Sequence, residues 1–244
     1  LPIFLSRPIL QIHILNERNL REAVRVTRYS AEIFLPEHLL TSLALVKKLR
    51  RERFPCKTVT LTRDPIERTI SFVFENRVRK LPELDKYSGE DAVIYVSKKL
   101  RSILSTDNPH ADPTKWFRGE LETVFGIDVF LTPYDFEAGF RIIEHDHHPV
   151  LVIRMEDLNK SFGNAFRSFL GINGDMLSYH PPTNVGATKQ YGHLLRQVKS
   201  TLKLPADIVT RIYSTQYARH FYHPDIPKLI ERWSGLTIRG DFNE

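Results

Sequence analysis

Cysteine is almost missing from this sequence: Cys56 is the only one in 244 residues. No disulfide can form within the chain, and a single thiol favours a reducing compartment, so a cytoplasmic location is expected. No run approaches the roughly 18 apolar residues that a membrane span requires, and no transmembrane segment or signal peptide is expected. Glycine is absent until Gly89, which excludes a glycine-rich phosphate loop from everything before it. There is no zinc knuckle, RNA-recognition signature or patterned basic–aromatic stripe, so nucleic acid is not an expected partner. Repeats and low-complexity tracts are missing too.

What is present is ordinary for a globular protein: 41% hydrophobic and 26% charged residues. The length suits one substantial core, and residues 1–244 are read as a single domain. The net charge of +6 suits a polyanionic partner or a phosphorylated cofactor without selecting between them.

The most informative stretch is Thr58–Asn76. A β-branched run, Thr58-Val59-Thr60-Leu61-Thr62, predicts a strand, and Arg63-Asp64-Pro65 then opens a helix. Asp64 is a good N-cap, Pro65 fits the first helical position and Glu67 occupies the acid position of a capping box. Ile66, Ile70, Val73 and Phe74 form the apolar face, with Ser71 on its flank. Ligands of open α/β sheets bind outside the carboxyl ends of strands. Arg63 and Ser71, beside a helix N-terminus, suit a phosphate there; a plain strand–helix junction with a solvated arginine is the alternative.

Around it, Pro8–Leu15 reads as a buried strand, with Asn16 capping a helix that turns Leu20, Ala23, Val24 and Thr27 inward. A second helix is predicted from Pro36 to Arg53, with Leu39, Leu40, Leu43, Val46 and Leu49 inward and a basic tail favoured by the helix dipole. Arg77–Lys86 reads as a polar loop, Gly89–Ser105 as a helix and Asp107–Pro113 as an irregular break. Trp116–Phe125 is expected to be helical and to end at Gly126. Phe140–Ile143 and Val150–Ile153 read as strands, followed by a helix ending near Leu170-Gly171. The intervening His145, His147 and His148 invite a zinc reading, but their spacing matches no ligand motif. Residues 171–192 read as a surface excursion, Leu204–Tyr222 as one helix, and Leu229, Ile230 and Trp233 mark a last helix. Strands alternating with helices imply an α/β fold with a mostly parallel central sheet flanked by helices.

Several stretches in order carry a resemblance. Leu61-Thr62-Arg63-Asp64-Pro65-Ile66-Glu67-Arg68 with Ser71 resembles the 3′-phosphate-binding segment of sulfotransferases. Val150–Leu158 followed by Phe169-Leu170-Gly171-Ile172 resembles a later strand and helix of that superfamily. Gln11–Asn16, Lys115-Trp116-Phe117 and Phe125–Val129 resemble the sulfotransferases of bacterial capsular polysaccharide synthesis.

The resemblance implies a P-loop-like sulfotransferase fold using 3′-phosphoadenosine 5′-phosphosulfate as donor and a carbohydrate hydroxyl as acceptor. Arg63 and Ser71 would hold the 3′-phosphate. Asn184–Tyr191 resembles the late loop over the cofactor, with Lys189 its contact. In-line displacement needs a base on the acceptor hydroxyl and alignment of both substrates. His13 is the first choice for that base, with Glu37 and His38 as alternatives, and Trp116 offers an aromatic face to a sugar. No metal is implied. The superfamily's glycine-rich phosphosulfate loop has no counterpart here; its strand and loop are expected upstream of Leu1. Two other readings remain open, an inactive relative and a non-catalytic polyanion-binding module. A nucleotide kinase lacks its own phosphate loop equally and has no claim on the Arg63-Asp64-Pro65 motif.

Overall fold

The computed structural model describes residue 10 and residues 12–29, 35–52, 55–171 and 189–236. Most of the excursion expected over 171–192 lies outside them, as do Gln11, Arg53, Ile172 and the late loop up to residue 188. The fold is α/β, mostly helical, with one small sheet. The chain divides into two compact units, one formed by residues 1–61 and 115–178, the other by residues 62–114 and 179–244.

The first unit holds the sheet, in the order β1 (Thr58–Thr62), β3 (Val150–Arg154), β2 (Phe140–Ile143). Strands β2 and β3 are antiparallel, with Phe140 opposite Ile153 and Ile143 opposite Val150. Beside β3, the amides of Cys56 and Thr58 donate to the carbonyls of His147 and Pro149, both at 3.0 Å. Donors and acceptors advance together by two residues, the mark of a parallel pair. The sheet is therefore mixed, not mostly parallel as the sequence suggested. As the central strand, β3 is buried along its whole length, which explains its unbroken apolar run. Leu151 and Ile153 pack on Ala165 and Phe169 of α8 (Leu158–Leu170). Gly139, at φ +75°, lies where a Cβ would stand 2.7 Å from the Cβ of Asp157, so both its conformation and its smallness are needed. Asp157 in turn binds Arg154 Nε at 2.6 Å.

The helices α1 (Glu17–Tyr29) and α2 (Glu37–Glu52) form a second cluster of this unit around Leu20, Leu39 and Val46. Asn16 caps α1 as expected, its Oδ1 accepting from the amides of Arg18 and Asn19 at 2.9 and 3.3 Å. Two expectations fail here. Leu40 and Leu43 are exposed while Ser42 is fully buried, because the seam of α2 is one row wide and follows residues 39, 42 and 46. The predicted strand over Pro8–Leu15 is not found at Leu10 or Ile12–Leu15. The amides of Leu15 and Asn16 donate to the Glu120 carboxylate at 2.5 and 2.6 Å instead of to a sheet neighbour. Glu120 belongs to a π-helical turn, Arg118–Glu122, between α6 (Thr114–Phe117) and α7 (Thr123–Phe125). Gly126, left-handed at φ 74°, ends that run as anticipated.

The second unit is helical: α3 (Pro65–Glu75), α4 (Arg77–Lys80), α5 (Gly89–Ser105), α9 (Gly192–Thr201), α10 (Ala206–Tyr213), α11 (Gln216–Tyr222) and α12 (Ile226–Ser234). Ile66, Ile70, Val73 and Phe74 of α3 are completely buried, as the apolar spacing predicts. The stretch Arg77–Lys80 read as loop is a short helix, continuing α3 after a break at Asn76. The single helix expected over Leu204–Tyr222 is two. Thr215 is extended and its Oγ1 accepts from the amide of Ala218 at 3.2 Å, so the hydroxyl starts α11 where the apolar pattern alone would have continued α10.

Asp64 joins these helices. Only 2% exposed, it accepts from the Glu67 amide at 2.7 Å and from the Tyr213 hydroxyl at 2.5 Å. Asp64→Ala removes the cap and strands the Tyr213 hydroxyl, which together should cost about 2–4 kcal/mol in urea unfolding. Asp64→Asn, which retains a capping oxygen, should cost clearly less.

Candidate functional site

The Arg63 backbone is fixed before its side chain acts. Tyr217, 1% exposed, accepts from the Arg63 amide at 2.9 Å and donates to the Arg63 carbonyl at 2.8 Å. The guanidinium reaches along α3, its Nη2 lying 3.4 Å from Glu67 Oε2. Glu67 does not close the capping box; Lys199 and Arg232 hold its carboxylate, Arg232 at 2.6 Å. Burial alone would raise the carboxyl's pKa, but Lys199, Arg232 and Arg63 outweigh it and the group sits below its ordinary value. With two closer cations on Glu67, the Arg63 contact is longer than a charge-assisted bond usually is, so Arg63 is the cation most easily surrendered to an incoming anion.

Glu67, Ser71 and Glu75 recur at four-residue intervals and share a face of α3, about 6 Å of rise apart. Half-buried Ser71 is the middle member. At the far end, Lys189 Nζ donates to both Glu75 oxygens at 2.6 and 2.8 Å, and the Tyr191 hydroxyl donates to Glu75 at 2.8 Å. The Glu75 bond raises the Lys189 pKa. The structure thus gathers Arg63, Ser71 and Lys189 on one side of one helix. It attaches the two cations to different acids, one turn to either side of Ser71. Any anion placed at Ser71 would compete with Glu67 for one cation and with Glu75 for the other.

The neighbouring row of α3 carries residues that sequence reasoning did not single out. Arg68, whose pKa is lowered by burial, has Nη1 3.4 Å from the Pro109 carbonyl. Phe72, one turn on, stacks against His110 with ring centroids 3.6 Å apart and has Lys80 5.3 Å over its ring. Asn108 Oδ1 accepts from the His110 amide at 3.0 Å. Arg68 and Phe72 at i, i+4 were the available signal, but nothing in the irregular 107–113 break announces its partner.

In the other unit, His13 and His38 meet edge to face with centroids 5.0 Å apart. Two of the three candidate bases are therefore in contact, while Glu37 is exposed in the first turn of α2. His13 is exposed, and partial desolvation followed by the neighbouring His38 lowers its pKa, which favours the neutral imidazole that a base requires. The His13 segment is held by its own carbonyl, which accepts from Trp116 Nε1 at 3.0 Å, and by Glu120 two residues further on. Glu120, 3% exposed, also accepts from Asn19 Nδ2 at 2.8 Å. Its anchoring role left no mark in the sequence, where Glu120 and the exposed Glu122 look alike. Elsewhere in this unit, Cys56 Sγ lies 3.5 Å from His148 Nδ1, and His145 Nδ1 faces the amides of His147 and His148. Among the described residues no group of three or more His, Cys, Asp or Glu side chains is placed to hold a metal ion.

These features define an α/β protein with a helix face of paired acids and cations and, in its other unit, a histidine pair. Residues 98–223, just over half of the chain, match the NKWYS family model, described as "Putative capsular polysaccharide synthesis protein". The chain belongs to that family. No curated protein and no solved structure matches it. Among the described residues no helix is long and apolar enough to cross a membrane.

The environment of His110 has a measurable consequence. Burial, then Arg68 and Lys80, lower its pKa from 6.5 to about 4. The folded chain therefore refuses a proton that the unfolded chain accepts. The associated stability is present above pH 6.5 and is lost as pH falls from there toward 4. Equilibrium unfolding across that window should show a steeper pH dependence for the native chain than for His110→Gln.

Proposed function

We propose that the protein is a sulfotransferase of polysaccharide synthesis, moving a sulfuryl group from 3′-phosphoadenosine 5′-phosphosulfate to a carbohydrate hydroxyl. The observation that carries the reading is Arg63: its backbone is clamped by Tyr217 at the strand–helix junction, and its guanidinium is held only by a 3.4 Å contact with Glu67, the residue one turn before Ser71 on α3. Membership of a capsular polysaccharide family supports a carbohydrate acceptor. Fold alone would not choose the chemistry.

On this reading Arg63 releases Glu67 to take the 3′-phosphate as a fork, Ser71 donates its hydroxyl, and Lys189 supplies a further positive charge. Glu67 remains neutralised by Lys199 and Arg232, so the exchange strands no carboxylate. His13, whose pKa is lowered by partial desolvation and by His38, takes the proton of the acceptor hydroxyl. The bound donor supplies the sulfuryl group and leaves as adenosine 3′,5′-bisphosphate. Trp116 offers part of its ring to the sugar.

Calorimetry with adenosine 3′,5′-bisphosphate tests the donor half. Arg63→Ala should weaken binding about 10–100-fold, the value of one or two hydrogen bonds to a charged group. Equal affinity in native and variant chains would remove Arg63 from the site. His13→Ala should leave that affinity unchanged and lower sulfuryl transfer about 10²–10⁴-fold, read with a radiolabelled donor.

A further inference from the structure

From Lys189 to Ala206 the sequence contains Lys189, Arg196, Lys199 and Lys203 and no acidic residue. Along α9 and just past its end, Arg196, Lys199, Ser200 and Lys203 recur at three- and four-residue spacing, so they line one side over about 10 Å of rise. Arg232 of α12 completes an open trough of about 370 Å³ whose lining holds four cations and no carboxylate.

These cations are held in place. Lys199 and Arg232 converge on Glu67 beneath them, and Arg232 also lies 4.4 Å over the Trp233 ring. Lys203 Nζ donates to the Arg232 carbonyl at 2.6 Å, and its own carbonyl accepts from Arg101 Nε at 3.0 Å. Glu67 is shared by two of these four cations. Holding cations in place costs conformational entropy that a flexible lysine would otherwise keep, and that prepayment favours an anionic ligand.

We infer that this trough is a docking subsite for an acidic polysaccharide chain, distinct from the Arg63–Ser71 face. Its charges follow α9 over about 10 Å, a longer path than one phosphate spans, which suits carboxylates or sulfates repeating along a glycan. The Ser200 hydroxyl can serve a sugar hydroxyl. Trp233 is fully buried and no aromatic face lines the trough, so a nucleobase has nothing to stack on. That argues against single-stranded nucleic acid, whose binding sites use such platforms. The inference rests on the carbohydrate part of the proposed function and narrows the acceptor to an acidic one. It does not depend on the donor.

The test compares a heparin octasaccharide, a neutral maltooctaose and an oligothymidylate of equal charge, titrated over a range of salt concentrations. The native protein should bind the heparin octasaccharide best, with marked salt dependence, and the maltooctaose weakly. Arg196→Ala/Lys203→Ala, which spares both cations on Glu67, should weaken the heparin octasaccharide at least tenfold and flatten its log–log salt slope by about 1.5. Affinity for adenosine 3′,5′-bisphosphate should stay within twofold. Arg196→Lys/Lys203→Arg should retain binding, separating charge from misfolding. Unchanged octasaccharide affinity in the alanine variant, or tighter binding of oligothymidylate, would overturn the subsite. If adenosine 3′,5′-bisphosphate fails to bind while the octasaccharide pattern holds, the donor reading falls and the subsite stands.

Discussion

A buried carboxylate at the start of α3 is the constraint on which the helical unit depends. Asp64 satisfies the first turn of α3 through the Glu67 amide and simultaneously receives the Tyr213 hydroxyl of α10. For the preceding residue, Tyr217 of α11 performs a similar service, bonding both the amide and the carbonyl of Arg63. Local capping and long-range tyrosine bonds thus fix the same few atoms. The cost of burying these polar groups is offset only while every partner is present. The result is a rigid backbone at the residue whose side chain has most to do.

Charge on α3 follows from that rigidity. Glu67 and Glu75 each collect cations brought from distant sequence, Lys199 and Arg232 on one, Lys189 on the other. Acids placed among basic residues keep the cations ordered and lower the self-repulsion of a positively charged chain. They also set how readily each cation can be lent to a ligand. Arg63 has the longest contact, and the trough cations Arg196 and Lys203 stand away from Glu67. Where anion binding is concerned, this distribution matters more than the net charge.

Much of the local structure was legible. The Arg63-Asp64-Pro65 junction, the α3 face, the Asn16 cap, the bounds of α5 and the Gly126 stop all follow from short-range chemistry. Sheet polarity did not, because a short apolar strand has no mark for the direction of its neighbour. Nor did the loss of the strand at Ile12–Leu15, where the side chain of Glu120, over a hundred positions away, replaces a sheet partner. Likewise, the break at Ser214-Thr215 was hidden because the apolar stripe continues across it.

For the candidate site, residue types and their spacing alone put Arg63 at the end of β1 and Ser71 on the flank of the helix that follows it. Sequence similarity also placed the chain within a capsular polysaccharide family. Tertiary structure alone decided that His13 meets His38, that Glu67 serves as a shared counter-ion instead of closing a capping box, and that four cations from α9, the residues just after it and α12 line one trough. The reason is physical. Caps, apolar faces and helix stops depend on neighbours within about a turn, whereas ion pairs and ring contacts depend on where separate elements come to rest.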